Sequence, residues 1–146
     1  MIRLRATVGV LTVVTALAAG CGASAAQPTP APAPPSETLA PLLEQVLPNV
    51  PGKSFTSATV TFPPAARAVP HRHGDAFVYA YVLEGTVSSQ IEGQPERVYH
   101  QGDSWSEEPG AHHVSTVNAS PTEPAKLLVV FIADTGQPLK VDDPHA

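Results

Sequence analysis

His71-Arg72-His73-Gly74-Asp75-Ala76 runs directly into Phe77-Val78-Tyr79-Ala80-Tyr81-Val82-Leu83-Glu84-Gly85, and this stretch decides how the chain is read. In extended backbone, side chains alternate faces, so His71 and His73 project to one side and Arg72 to the other. Two imidazoles on one face suit a divalent metal if a third ligand arrives from elsewhere in the chain. His113, in Pro109-Gly110-Ala111-His112-His113, is the candidate for that place. Its neighbour His112 faces the opposite way on a strand and is read as a non-ligand.

The surrounding pattern is that of an all-β domain. Phe55 to Phe62 is rich in Thr, Val and Phe and is stopped by Pro63-Pro64. Phe77 to Leu83, Thr86 to Ile91, Arg97 to Tyr99, Ser104 to Ser106 and His113 to Val117 are further short extended pieces. They are separated by turns at Glu84-Gly85, Glu92-Gly93 and Gln101-Gly102-Asp103. Leu127 to Ala133 is almost continuously apolar and reads as a strand buried on both sides. Short strands at turn-marked intervals indicate a small barrel or sandwich.

These residues resemble the two motifs of the cupins. His71-Arg72-His73, with the following strand ending at Glu84-Gly85, is similar to the first. Gly102-Asp103-Ser104-Trp105 through Glu108-Pro109-Gly110-Ala111-His112-His113 is similar to the second, with His113 at its metal-binding histidine. The resemblance implies a small β-barrel of jelly-roll type with a metal held inside by three histidines and a glutamate. Cupins are often dimeric, so it also implies a homodimer. Three places depart from the pattern. The motif glutamate should fall at Phe77 or Val78, the first proline of the second motif is Glu108, and the closing asparagine should be Val117 but is Asn118, one residue late. A three-histidine site without the glutamate is the arrangement of the thiol dioxygenase branch.

Other residues are weighed against that site. Asp75, in the loop after His73, is the first candidate to replace the missing carboxylate, while Glu107 and Glu108 are read as solvated. Phe77, Tyr79 and Tyr81 share one face of their strand, and Val78, Ala80 and Val82 share the other. If the aromatic face looks inward, Tyr79 or Tyr81 brings a hydroxyl to the site. Trp105 reads as core or pocket wall.

The ends of the chain read differently. Met1 to Arg5 is cationic, Ala6 to Ala19 is apolar and uncharged, and small residues follow, which is the order of a secretory signal over residues 1–25. Ala23-Ser24-Ala25 offers ordinary cleavage. Ala18-Ala19-Gly20-Cys21 resembles a lipobox in which Cys21 is lipidated, and Cys21 is the only cysteine of the chain. Residues 26–36 carry five prolines and form an extended linker. Over residues 37–52 the spacing of Leu39, Leu42, Leu43, Val46 and Leu47, with Ser36 as N-cap and Pro48 as stop, predicts a short helix covering an edge of the domain. The barrel is assigned to residues 53–135 and a tail to 136–146.

The chain has eight basic and 13 acidic residues, and loss of a leader containing Arg3 and Arg5 makes it more acidic still. That charge excludes nucleic acid as a partner and leaves a lipid anchor as the only route to a membrane. The expected function is an exported, periplasmic or cell-surface cupin holding a divalent metal through His71, His73 and His113 in a mostly apolar barrel. Iron, zinc, manganese, nickel and copper are not distinguished, and neither the reaction nor the small-molecule ligand is specified. The alternatives are a non-catalytic small-molecule-binding module and a three-histidine metal-dependent dioxygenase.

Overall fold

The computed structural model describes residues 36–144. The segments expected to be a signal, a lipobox around Cys21 and a linker up to Pro35 lie outside the described residues. Among the described residues there are ten strands and no helix. The strands are β1 (Thr38–Val46), β2 (Lys53–Phe62), β3 (His71–Arg72), β4 (Phe77–Glu84), β5 (Thr86–Ile91), β6 (Arg97–His100), β7 (Ser104–Glu107), β8 (His112–Asn118), β9 (Ala125–Asp134) and β10 (Val141–Asp142). They form two five-stranded antiparallel sheets, ordered β1-β2-β9-β4-β7 and β10-β3-β8-β5-β6.

Strict alternation builds the interior of the first sheet. Ala58, Val60 and Phe62 of β2, Val78, Ala80 and Val82 of β4, and Leu127, Val129 and Phe131 of β9 are all buried on one face. Ala80 lies opposite Val129 on β9 and Trp105 on β7. Small side chains on β4 therefore leave room for the large rings contributed by β7 and β9.

The segment expected to be helical is strand β1. Its apolar positions fit a helical repeat, but they equally fit an edge strand interrupted by a bulge. The pairing register with β2 shifts between Pro41 and Leu43, leaving Leu42 as the extra residue. An edge strand with a bulge tolerates a proline without an N–H, whereas a helix admits Pro41 only in its first turn. The decisive gain is pairing for the open edge of β2, with partners from Thr38↔Thr61 to Val46↔Ser54. The segment does cover an edge, as a strand. The region assigned to a tail is also structured, because β10 pairs with β3 through Val141↔Arg72 and Asp142↔His71. The two sheets thus take in residues on both sides of the 53–135 span.

Two residues hold the turns around the barrel. Gly85 has φ +77°, and a Cβ there would stand 2.6 Å from the carbonyl oxygen of Pro124. Asn118, fully buried at the end of β8, donates through Nδ2 to the carbonyls of Phe62 (3.2 Å), Pro63 (2.9 Å) and Glu123 (2.8 Å), and its Oδ1 accepts from the Ser120 N–H. It ties the end of β2 to the β8–β9 connection. Replacing Asn118 with alanine leaves those groups without partners and is expected to lower the unfolding free energy by about 2–4 kcal/mol. Denaturant melts of the variant beside the parent check this, and an unchanged midpoint would contradict it.

Candidate metal centre

The second sheet delivers the histidines. His71 on β3 and His113 on β8 are direct cross-strand partners. Both are buried on the inner face, with ring centroids 5.1 Å apart. His73, just beyond the end of β3, returns to that face and sets its ring edge-on to His71 at 4.8 Å. One nitrogen from each of the three rings lies within 4.8 Å of the others.

Anchoring contacts decide which nitrogen each ring presents. His71 donates through Nδ1 to the Val69 carbonyl (2.7 Å), and His73 donates through Nδ1 to the Leu139 carbonyl. A carbonyl only accepts, so Nδ1 carries the proton in both rings and the Nε2 lone pair is left free. His113 is held the other way round. Its Nε2 sits between the hydroxyls of Ser89 (2.8 Å) and Thr116 (2.7 Å), and its Nδ1 faces Glu107.

A bulge makes the Thr116 contact available. The β5–β8 register shifts between Gln90, opposite Ser115, and Ile91, opposite His113, so Val114 is the extra residue. Beyond it the inward positions of β8 become Thr116 and Asn118 in place of 115 and 117. The same added residue accounts for the asparagine standing one place later than the motif pattern.

Glu107 was read as solvated and is among the most buried residues of the chain, 3% exposed. In Ser104-Trp105-Ser106-Glu107 the burial alternates, so Glu107 shares the inner face with Trp105. Its Oε1 accepts from the Trp105 indole N–H (3.1 Å) and lies 3.1 Å from His113 Nδ1. Its Oε2 lies 3.7 Å from His73 Nε2 and has no hydrogen-bond partner. The alternation was visible in the sequence. Trp105 reads as core or pocket wall, and the residue two places on belongs to the same face.

The other carboxylate and hydroxyl candidates do not reach the site. Asp75 is exposed in the loop between β3 and β4. Tyr79 and Tyr81 occupy the outer face of β4, level with Val130 and Leu128 of β9, and Tyr79 is 38% exposed. Outward placement follows from the barrel's width, because the inner face of β4 packs against Phe131 and Trp105 and takes only valine and alanine. His112, expected to face away, does so and bonds Asp143 Oδ2 (2.8 Å).

The histidines and Glu107 lie in a cavity of about 70 Å³ walled by Val60, Phe62, Leu127, Val129 and Phe131, among others. That is room for a few water-sized groups. Lys140 and Glu37 also line it and pair at 2.6 Å, joining the two ends of the described chain. Burial pushes His71 down to about 4, only partly offset by its bond to the Val69 carbonyl, so the ring is neutral at pH 7. His73 is also lowered, mainly by burial. For Glu107, burial acts upward, but His113, His73 and the Trp105 N–H together outweigh it and hold the carboxyl below its usual range. The lowered imidazoles of His71 and His73 beside an ionised carboxylate make a donor set that suits a divalent metal.

The family model for the cupin domain matches residues 58–131, which takes in both histidine segments. The chain belongs to the cupin family. No curated protein matches it in sequence. Among solved cupin-type structures, a protein of Klebsiella pneumoniae with a double-stranded β-helix domain is similar at 17% identity and TM-score 0.59, covering 78% of this chain and 90% of that one. The Cnp3 cupin domain of Schizosaccharomyces pombe is similar at 17% identity and TM-score 0.56, covering 68% and 62%. The DMSP lyase DddQ of Ruegeria pomeroyi is similar at 24% identity and TM-score 0.55, covering 63% and 45%. This cupin therefore spans less than two thirds of the Cnp3 and lyase chains, and at these identities the likeness is one of fold.

Buried neutral histidines make the metal-free cupin sensitive to acid. Between about pH 6.5 and about 4 the unfolded chain takes up a proton at His71 that the native state refuses, so stability falls as pH falls. His73 acts in the same direction, and the lowered Glu107 adds to the loss at still lower pH. Denaturant titrations of chelator-treated protein from pH 7.5 to 4.5 should show this slope, and His71→Gln should flatten it. Equal stability across the range would refute the assignment.

Proposed function

We propose that this cupin holds a divalent metal ion through His71, His73 and His113 and presents it to a small molecule in an apolar-walled pocket. The observation that carries the reading is the convergence of three buried imidazole nitrogens within 4.8 Å, two of them unprotonated because Nδ1 is committed to a carbonyl. Such a set suits a cation, which would take the Nε2 lone pairs that His71 and His73 present to the cavity. The residues present fit a metal, and the unpartnered Oε2 of Glu107 strengthens the fit.

A bound divalent ion would supply Lewis-acid or, for iron, manganese or copper, redox chemistry. The chain's own residues do the rest. The Val69 and Leu139 carbonyls fix two ring orientations, and the Ser89 and Thr116 hydroxyls fix the third. The valine, leucine and phenylalanine walls exclude bulk water, and the Glu37–Lys140 pair adds the charged part of the lining. The fold leaves the reaction open, because one barrel serves many chemistries. A metal-dependent enzyme and a non-catalytic binding module are both compatible with this pocket. The cationic start, apolar run and Cys21 support an exported, lipid-tethered location.

Protein purified without chelator or nickel affinity resin should contain roughly one metal ion per chain. His71→Ala with His113→Ala should abolish it while circular dichroism still reports a β-fold. Full occupancy in the double variant would sink the proposal. Iron would favour oxygen-dependent chemistry, zinc hydrolysis, and a metal-free chain that still binds a small molecule the module reading.

A further inference from the structure

The first histidine motif has no glutamate at either expected position, Phe77 or Val78. Val78 is buried on the inner face of β4 and lines the cavity. Its direct cross-strand partner on β7 is Glu107. In an antiparallel pair, opposed residues share a face with Cβ atoms about 5 Å apart. A carboxylate on either strand is therefore delivered to the same side of the barrel.

We propose that Glu107 supplies from β7 the carboxylate that β4 lacks, so that the metal site is completed by three histidines and a relocated glutamate. This rests on the metal reading above and adds a donor to it. Three observations point the same way. The side chain is almost wholly buried, although the surrounding wall is apolar and a solvated carboxylate would have been cheaper to fold. Its two oxygens are divided between two of the histidines, Oε1 facing His113 Nδ1 and Oε2 facing His73 Nε2. Finally, Oε2 has no hydrogen-bond donor of its own, although almost every buried carboxylate oxygen finds one. Each of these oxygens faces a ring nitrogen, and His73 Nε2 is a lone-pair atom because Nδ1 holds that ring's proton. Oε2 and His73 Nε2 thus face each other as two acceptors, a pair that a cation held between them would satisfy. Trp105 positions the carboxylate by donating to Oε1 from the same face of β7.

The inference is tested with cobalt(II), whose visible absorption reports the ligand set, and with zinc(II) competed against a chelator of known affinity. Glu107→Gln keeps the shape of the side chain and removes the charge. It should retain the β-fold, lose at least about tenfold in affinity for both metals, and shift the cobalt bands. The exchange variant Val78→Glu with Glu107→Val moves the carboxylate back across the strand pair and should recover affinity towards the parent's, which a merely structural role for Glu107 would not predict. Parent-like affinity and spectrum in Glu107→Gln would overturn the proposal while leaving the three-histidine site standing. Failure of the exchange variant to recover binding, although folded, would also count against it. Absence of cobalt and zinc binding in the parent itself would remove the metal reading and this inference together.

Discussion

Three imidazoles and a carboxylate lie inside a core whose apolar part is built from valine, alanine, phenylalanine, leucine and Trp105, and the rest of the structure is arranged around that fact. Each buried polar ring costs free energy unless a partner is supplied. The barrel supplies one for every ring: the Val69 carbonyl, the Leu139 carbonyl, and the Ser89 and Thr116 hydroxyls. These partners come from four separate places in the chain. Fixing the rings therefore also fixes the approach of β3, the β5–β8 pair and the segment leading to β10. The site and the closure of the barrel are one set of constraints.

Small irregularities in otherwise regular strands do much of the positioning. The bulge at Val114 turns both His113 and Thr116 inward, although they are three residues apart. The bulge at Leu42 lets a proline-containing segment complete the edge of β2, and the pairing of Leu39 with Val60 sets the start of that segment at the cavity. The left-handed Gly85 keeps the β4–β5 turn clear of Pro124. At each bulge one residue out of register alters which face the following side chains take, as the two-residue repeat of a strand requires.

The likeness to structures as different as a lyase and the Cnp3 cupin domain shows how little of the chemistry resides in the barrel itself. What individualises this member is its pocket. It is small, apolar-walled and lined in part by an ion pair between segments far apart in sequence. Its buried carboxylate, Glu107, stands on β7 opposite Val78 of β4.

Much of this was legible in the sequence, and the limit has a physical cause. The His-x-His alternation, the turn glycines and the spacing to His113 depend on local periodicity, so they determined the all-β class, the family and the three histidines. Glu107 could have been found by the same alternation, two places after Trp105. Other features depended on contacts between distant strands. Residues 38–46 carry an apolar spacing that fits a helix or a bulged strand, and only the unpaired edge of β2 decides between them. The two faces of Phe77–Leu83 are equally apolar, so the width of the barrel sent Tyr79 and Tyr81 outward. That His71 stands opposite His113, and Val78 opposite Glu107, is a matter of strand register. Local sequence sets which residues share a face of a strand; only tertiary pairing sets which face lies inside and what it meets there.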